Sequence, residues 1–119
     1  MYNSADLTVL VVDDVDLNVM ILEEILSSDY NVLTANNGKE GLEVLGRAKV
    51  LPKIILLDVQ MPHMNGREMF EILKADESFK RIPVIFITAE NDSESELLAA
   101  GAVDFINKPF TPEIGRAHV

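Results

Sequence analysis

The stretch KIILLDVQMP, Lys53 to Pro62, carries four apolar residues, Ile54 to Leu57, directly into a carboxylate at Asp58. A short unbroken apolar run bounded by polar residues reads as a strand buried on both faces. Such strands belong to parallel sheets covered by helices, and the residue that ends one stands where the backbone leaves the core. An ionisable group placed there needs a chemical reason.

Working outward, the same alternation of apolar runs and helical spacing fills the chain. Leu7–Val12 is nearly all apolar and predicts a first strand. Tyr30–Ala35 predicts a second, more polar and suited to an edge. Ile82–Thr88 and Val103–Asn107 complete the set after Ile54–Leu57. Between them, Asp16–Ser28 spaces Leu17, Met20, Ile21, Leu22, Ile25 and Leu26 as one helix, with Asp14 and Asp16 as candidate caps. Asn36–Lys49 predicts the next helix. The loop Val59–Gly66 leads to a third helix at Arg67–Asp76, whose apolar face is Met69, Phe70, Ile72 and Leu73. A short fourth helix over Ser93–Ala100 precedes Gly101. Repeated β-then-α units imply a parallel sheet with helices on both faces, and ligands in such folds gather beyond the carboxyl ends of the strands.

Bulk properties agree. The 119 residues are one domain of ordinary size, with 48% hydrophobic and 25% charged residues. There is no cysteine, so no disulfide framework supports the fold, which is compatible with the cytoplasm. The first residues, MYNSADLTVL, lack the basic and long apolar segments of a secretory signal, and no apolar run approaches a membrane span. Ten Lys and Arg against 20 Asp and Glu give a formal charge of −10, a field that repels nucleic acid and anionic lipid. An acidic surface serves solubility; it also marks a site that awaits a cation.

The strand ends carry the chemistry. The first ends in Asp13 and Asp14, the third in Asp58, the fourth in Thr88 and Ala89, and the fifth runs into Lys108 and Pro109. Taken singly, an Asp pair before a helix is a cap, a strand-end Asp is turn chemistry, Thr is a good strand former and Lys-Pro is surface loop. Together they bring three carboxylates, a hydroxyl and an ammonium to one rim. Crowded carboxylates resist joint ionisation, and a divalent cation or the Lys108 ammonium relieves that cost. Magnesium suits the set, because it takes hard oxygen ligands with several waters and a phosphate oxygen.

The motifs VLVVDD, LLDVQMPHMNG, PVIFITA and GAVDFINKPF, in that order, resemble the receiver domain of two-component response regulators, over residues 7–112. The resemblance implies a flavodoxin-like, doubly wound, five-stranded parallel sheet of order 2-1-3-4-5, in a single domain spanning residues 1–119. It implies that Asp58 accepts a phosphoryl group from a histidine kinase or histidine phosphotransfer protein. Asp13, Asp14 and Asp58, with the Gln60 backbone carbonyl, would bind Mg²⁺, for which Mn²⁺ or Ca²⁺ can substitute. Lys108 would pair with the acyl phosphate, and Thr88 would follow the phosphoryl oxygens while Phe105 turns inward as the switch aromatic. The Lys108–Pro109 bond would be cis. Gln60 and Glu90, each two residues beyond a site residue, would flank the water entrance and tune phosphate lifetime. The readout would be the face of the fourth helix, fifth strand and fifth helix, controlling an output domain or downstream protein, with a phosphorylation-dependent homodimer as one form. The resemblance also implies a cytoplasmic protein, and the −10 charge makes nucleic acid and membrane poor partners for it.

Two departures bear on that face. Lys108 follows Thr88 by 20 residues, a little short for the family, and the missing length falls between Asn91 and Gly101. The end, TPEIGRAHV, leaves a short or truncated fifth helix, or marks a fragment of a longer regulator. GAVDFINKPFTPEI resembles receivers joined to cyclic-di-GMP enzymes. Rival classes are an Mg²⁺-dependent phosphatase or phosphotransferase with an Asp nucleophile, which usually has a second acid where Gln60 stands, and a constitutive interaction module. A nucleotide-binding domain lacks its P-loop or GxGxxG here. His63 and His118 have no ligand partner in the sequence, and Met61, Met64 and Met69 read as packing.

Overall fold

A computed structural model describes residues 7–61, 63–89 and 94–107. Five parallel strands, β1 (Thr8–Val12), β2 (Asn31–Ala35), β3 (Ile54–Asp58), β4 (Val84–Thr88) and β5 (Asp104–Asn107), form one sheet in the order β2-β1-β3-β4-β5. The helices between them are α1 (Asp16–Leu26), α2 (Gly38–Arg47), α3 (Gly66–Ala75) and α4 (Glu94–Ala99). This is the doubly wound order the sequence implied, with β2 at one edge. The segment of the expected fifth helix lies outside the described residues, as do Lys108, Pro109 and Glu90.

Alternation along the strands builds two cores. Leu10, Val12, Ile55, Leu57, Val84 and Phe86 pack on one face against Leu45 of α2, Met69, Phe70 and Leu73 of α3 and Leu97 of α4. Val9, Val11, Leu56, Ile85 and Ile87 pack on the other against Val19, Leu22, Ile25 and Leu26 of α1. Successive residues of a pleated strand point to opposite faces, so a strand buried on both must be apolar throughout. Phe86 meets Phe70 edge-on, with ring centroids 5.2 Å apart. Met69 is fully buried, and Met61 and Met64 pack against the same core, as their reading as packing residues requires.

Several local expectations are corrected. Neither Asp14 nor Asp16 caps α1: the N-cap is Val15, with no side-chain cap bond, and Asp16 lies in the first turn, where its charge favours the positive helix end. On α1, Leu17 and Met20 are each 63% exposed, and on α3, Ile72 is 42% exposed. The apolar residues of α1 span more arc than one sheet face can cover, so those at the margin stay in water. The third helix begins at Gly66, one residue early, because Asn65 and Glu68 form a reciprocal capping box. The strand expected from Ile82 begins at Val84, since Pro83 has no N–H to donate; its carbonyl accepts from Ile55 N at 3.0 Å.

Phe86→Ala is expected to lower the unfolding free energy by about 3–5 kcal/mol. Met20→Ala on the exposed side of α1 is expected to change it by less than about 0.5 kcal/mol. Urea denaturation of the two variants measures both.

Candidate functional site

The carboxyl ends of β1, β3 and β4 meet at one rim. Asp13 directly follows β1 and is fully buried, because its amide continues the ladder by donating to the Ala35 carbonyl at 3.1 Å. Its side chain is held at both oxygens: Oδ1 accepts from Val15 N at 2.9 Å, and Oδ2 from Asn18 Nδ2 at 3.1 Å. Asp14 is exposed beside it. Asp58, last residue of β3, is 1% exposed. The Gln60 backbone N–H donates to Asp58 Oδ1 at 3.2 Å, while the Gln60 side chain lies in solvent.

The loop after Asp58 is fixed from both sides. Val59 N donates to the Ile87 carbonyl at 3.2 Å, and Gly66 N donates to the Val59 carbonyl at 3.0 Å. α3 therefore starts against the Asp58 backbone. A Cβ at Gly66 would overlap the Asp58 carbonyl oxygen, so only glycine permits this approach. His63, in the same loop, has φ of 67°, a left-handed conformation that a β-branched side chain tolerates poorly.

One carboxylate oxygen from each of Asp13, Asp14 and Asp58 can be chosen so that all lie within 4.8 Å of one another. That set of hard oxygens, two buried and one facing water, suits a small divalent cation that keeps part of its hydration shell. Among the described residues, no histidine belongs to that set.

Thr88 is fully buried at the end of β4, and its hydroxyl donates to Asn107 Oδ1 at 2.8 Å. Phe105 is half-buried, pairs in register with Phe86 and packs against the α2–α3–α4 core. The structure thus brings Asp13, Asp14, Asp58 and the Gln60 backbone together, with Thr88 one strand away. Two contributors escape the sequence reading. Asn18 holds Asp13 from the first turn of α1, and its only signal is its place five residues after that aspartate. Asn107 is a polar residue ending a strand, an uncommon choice there.

A family model described as the response regulator receiver domain matches residues 9–119. Hybrid signal transduction histidine kinase D of Dictyostelium discoideum is 43% identical over 107 residues, covering 88% of this chain and 7% of that protein. A probable cyclic di-GMP phosphodiesterase of Vibrio cholerae is 33% identical over 121 residues, covering 100% of this chain and 27% of that one. The chain therefore corresponds to a minor part of both relatives. The chemotaxis response regulator CheY4 of Vibrio cholerae has a solved structure with a TM-score of 0.83 and 30% identity, covering 94% of each chain.

Gly66→Ala is expected to cost about 1–3 kcal/mol, the range for forcing an extra carbon into a packed site. A thermal melt reads the loss, and an unchanged midpoint would show that the Asp58 loop can yield.

Proposed function

The chain belongs to the response regulator receiver domains, signalling domains of two-component systems, and on that premise we propose that Asp58 is its phosphoacceptor. What carries the reading is the convergence of Asp13, Asp14 and Asp58 at the ends of two adjacent strands. One Asp58 oxygen attacks the phosphorus of a phosphohistidine in line. The P–O bond forms as the P–N bond breaks, and the donor imidazole leaves with the electron pair. Little activation of the nucleophile is needed, so the residues act mainly by position.

Asp58 enters this step with its carboxylate oriented by the Gln60 N–H. Asp13, Asp14, Asp58 and the Gln60 carbonyl would hold magnesium, or manganese or calcium in its place, which when bound offsets charge on the transferring phosphoryl oxygens. Asn18 and Val15 fix Asp13 so that its oxygens face the site. Ala89 after Thr88 is small and leaves the phosphoryl oxygens accessible. The roles of Lys108 as the phosphate's cationic partner, of the Lys108–Pro109 bond, and of Glu90 with Gln60 in setting phosphate lifetime come from the sequence resemblance.

The aspartyl phosphate adds roughly 1.5–2 negative charges to the rim. Thr88 then gains a phosphoryl oxygen as acceptor, and Phe105, on the same sheet face, gains room to turn inward. This two-state element biases the α4–β5 face and the segment after it. We assign the phosphoryl donor to a sensor histidine kinase or histidine phosphotransfer protein in the cytoplasm. The listener is an output domain or partner protein, with a cyclic-di-GMP enzyme favoured by the Vibrio cholerae relative, or a second receiver in a phosphorylation-dependent homodimer. No described helix is long and apolar enough to cross a membrane.

Acetyl phosphate with Mg²⁺ is expected to add one phosphoryl mass to the wild type and none to Asp58→Asn. A chelator should abolish the gain, and no gain in the wild type, even with a panel of sensor kinases, would sink the proposal. Asn18→Ala is expected to weaken Mg²⁺ binding by about 10-fold or more, as loss of a ligand-orienting group does elsewhere.

A further inference from the structure

A hydroxyl has one proton to donate, and the Thr88 hydroxyl has three oxygens within reach. Asn107 Oδ1 stands at 2.8 Å, Glu94 Oε2 at 3.4 Å and the Ile106 carbonyl at 3.5 Å. Only the first distance falls in the ordinary range for an O–H···O bond. The pair also stays bonded with the Asn107 amide in either orientation, since a hydroxyl accepts as well as donates.

The register explains the direction of this bond. Thr88 of β4 pairs with Asn107 of β5, while Asp58 of β3 pairs with Ile87 on the other side of β4. A Thr88 hydroxyl bonded to Asn107 is therefore drawn toward β5, away from the strand that carries the nucleophile. The Asn107 side chain is exposed, so no core requires it, and asparagine is disfavoured in strands. Its amide nevertheless reaches the buried hydroxyl.

We propose that Asn107 is a positioning residue, a latch that holds the Thr88 hydroxyl on the β5 side in the unphosphorylated chain. The inference rests on the reading of Asp58 as phosphoacceptor. A phosphoryl group on Asp58 must then compete with the Asn107 amide for Thr88, and the strength of that bond sets how far the resting state is favoured. Glu94, the first residue of α4, faces the same hydroxyl from another side, so release of Thr88 is felt by α4 as well as β5. The latch opposes activation: removing it should favour the phosphorylated arrangement.

Beryllofluoride with Mg²⁺ is a stand-in for the phosphoryl group, and its affinity can be measured by NMR titration of four chains: wild type, Asn107→Leu, Thr88→Ala and the double variant. Leucine keeps the approximate volume of asparagine and removes its hydrogen bonding. Asn107→Leu is expected to bind beryllofluoride about three- to tenfold more tightly, the worth of one neutral hydrogen bond. The same change in the Thr88→Ala background is expected to have no effect. A wild-type affinity in Asn107→Leu, or an equal gain with Thr88 absent, would overturn the latch alone. A wild type that takes up neither beryllofluoride nor a phosphoryl group would overturn the functional reading, and the latch with it.

Discussion

Burying two carboxylates at the ends of neighbouring strands is the constraint on which this structure turns. Asp13 and Asp58 are 0% and 1% exposed, and with Asp14 they can bring three oxygens within 4.8 Å. Charges so placed lose hydration and repel one another, at a cost that must be met by hydrogen-bond donors and cations. The parallel sheet supplies the first donors from its own backbone. At the end of each strand, amides no longer needed for the ladder turn toward the carboxylate: Val15 N for Asp13 and Gln60 N for Asp58. The remaining negative charge is of the kind that a small divalent cation would offset.

The surrounding elements read as consequences of that placement. β1 and β3 are apolar and central, so their ends are held firmly by two cores. α1 starts two residues after Asp14 and presents Asn18 back to Asp13, taking a side-chain partner where its own cap has none. α3 starts against the Asp58 carbonyl, a closeness that only Gly66 allows. Beyond β3, the next two strands place Thr88 at the end of β4, Asn107 opposite it and Phe105 on the same face, the residues of the proposed switch. A firmly packed half that carries Asp58 thus adjoins a half in which the Thr88 hydroxyl has three oxygens within reach, as the proposed two-state element would require.

Much of this was legible in the residues themselves. Unbroken apolar strands fix a sheet covered on both sides, and Asp13, Asp14, Asp58 and Thr88 each stand where such a strand ends. Strand order and the roles at the rim came from motif resemblance, because spacing alone does not choose which strands are neighbours. Side-chain partnerships across elements were not legible. Asp14 and Asp16 have the chemistry of caps, yet Asp13, being buried, has the stronger need for donors and takes the amide at the start of α1. Leu17, Met20 and Ile72 obey helical spacing, but which margin of an apolar stripe meets the sheet depends on the helix's rotation. Asn18 and Asn107 carry no motif; only the fold places them beside Asp13 and Thr88.

The most direct measurement is the chemical location of the phosphoryl group. After treatment with acetyl phosphate and Mg²⁺, borohydride reduces an aspartyl phosphate to homoserine, and tandem mass spectrometry of the peptides reads its position. Homoserine at position 58, with position 13 and position 14 still aspartate, is the expected result. Homoserine at either of the other two, or a phosphoryl adduct on a side chain outside the rim, would contradict the assignment of Asp58 as the group for which the strand ends are built.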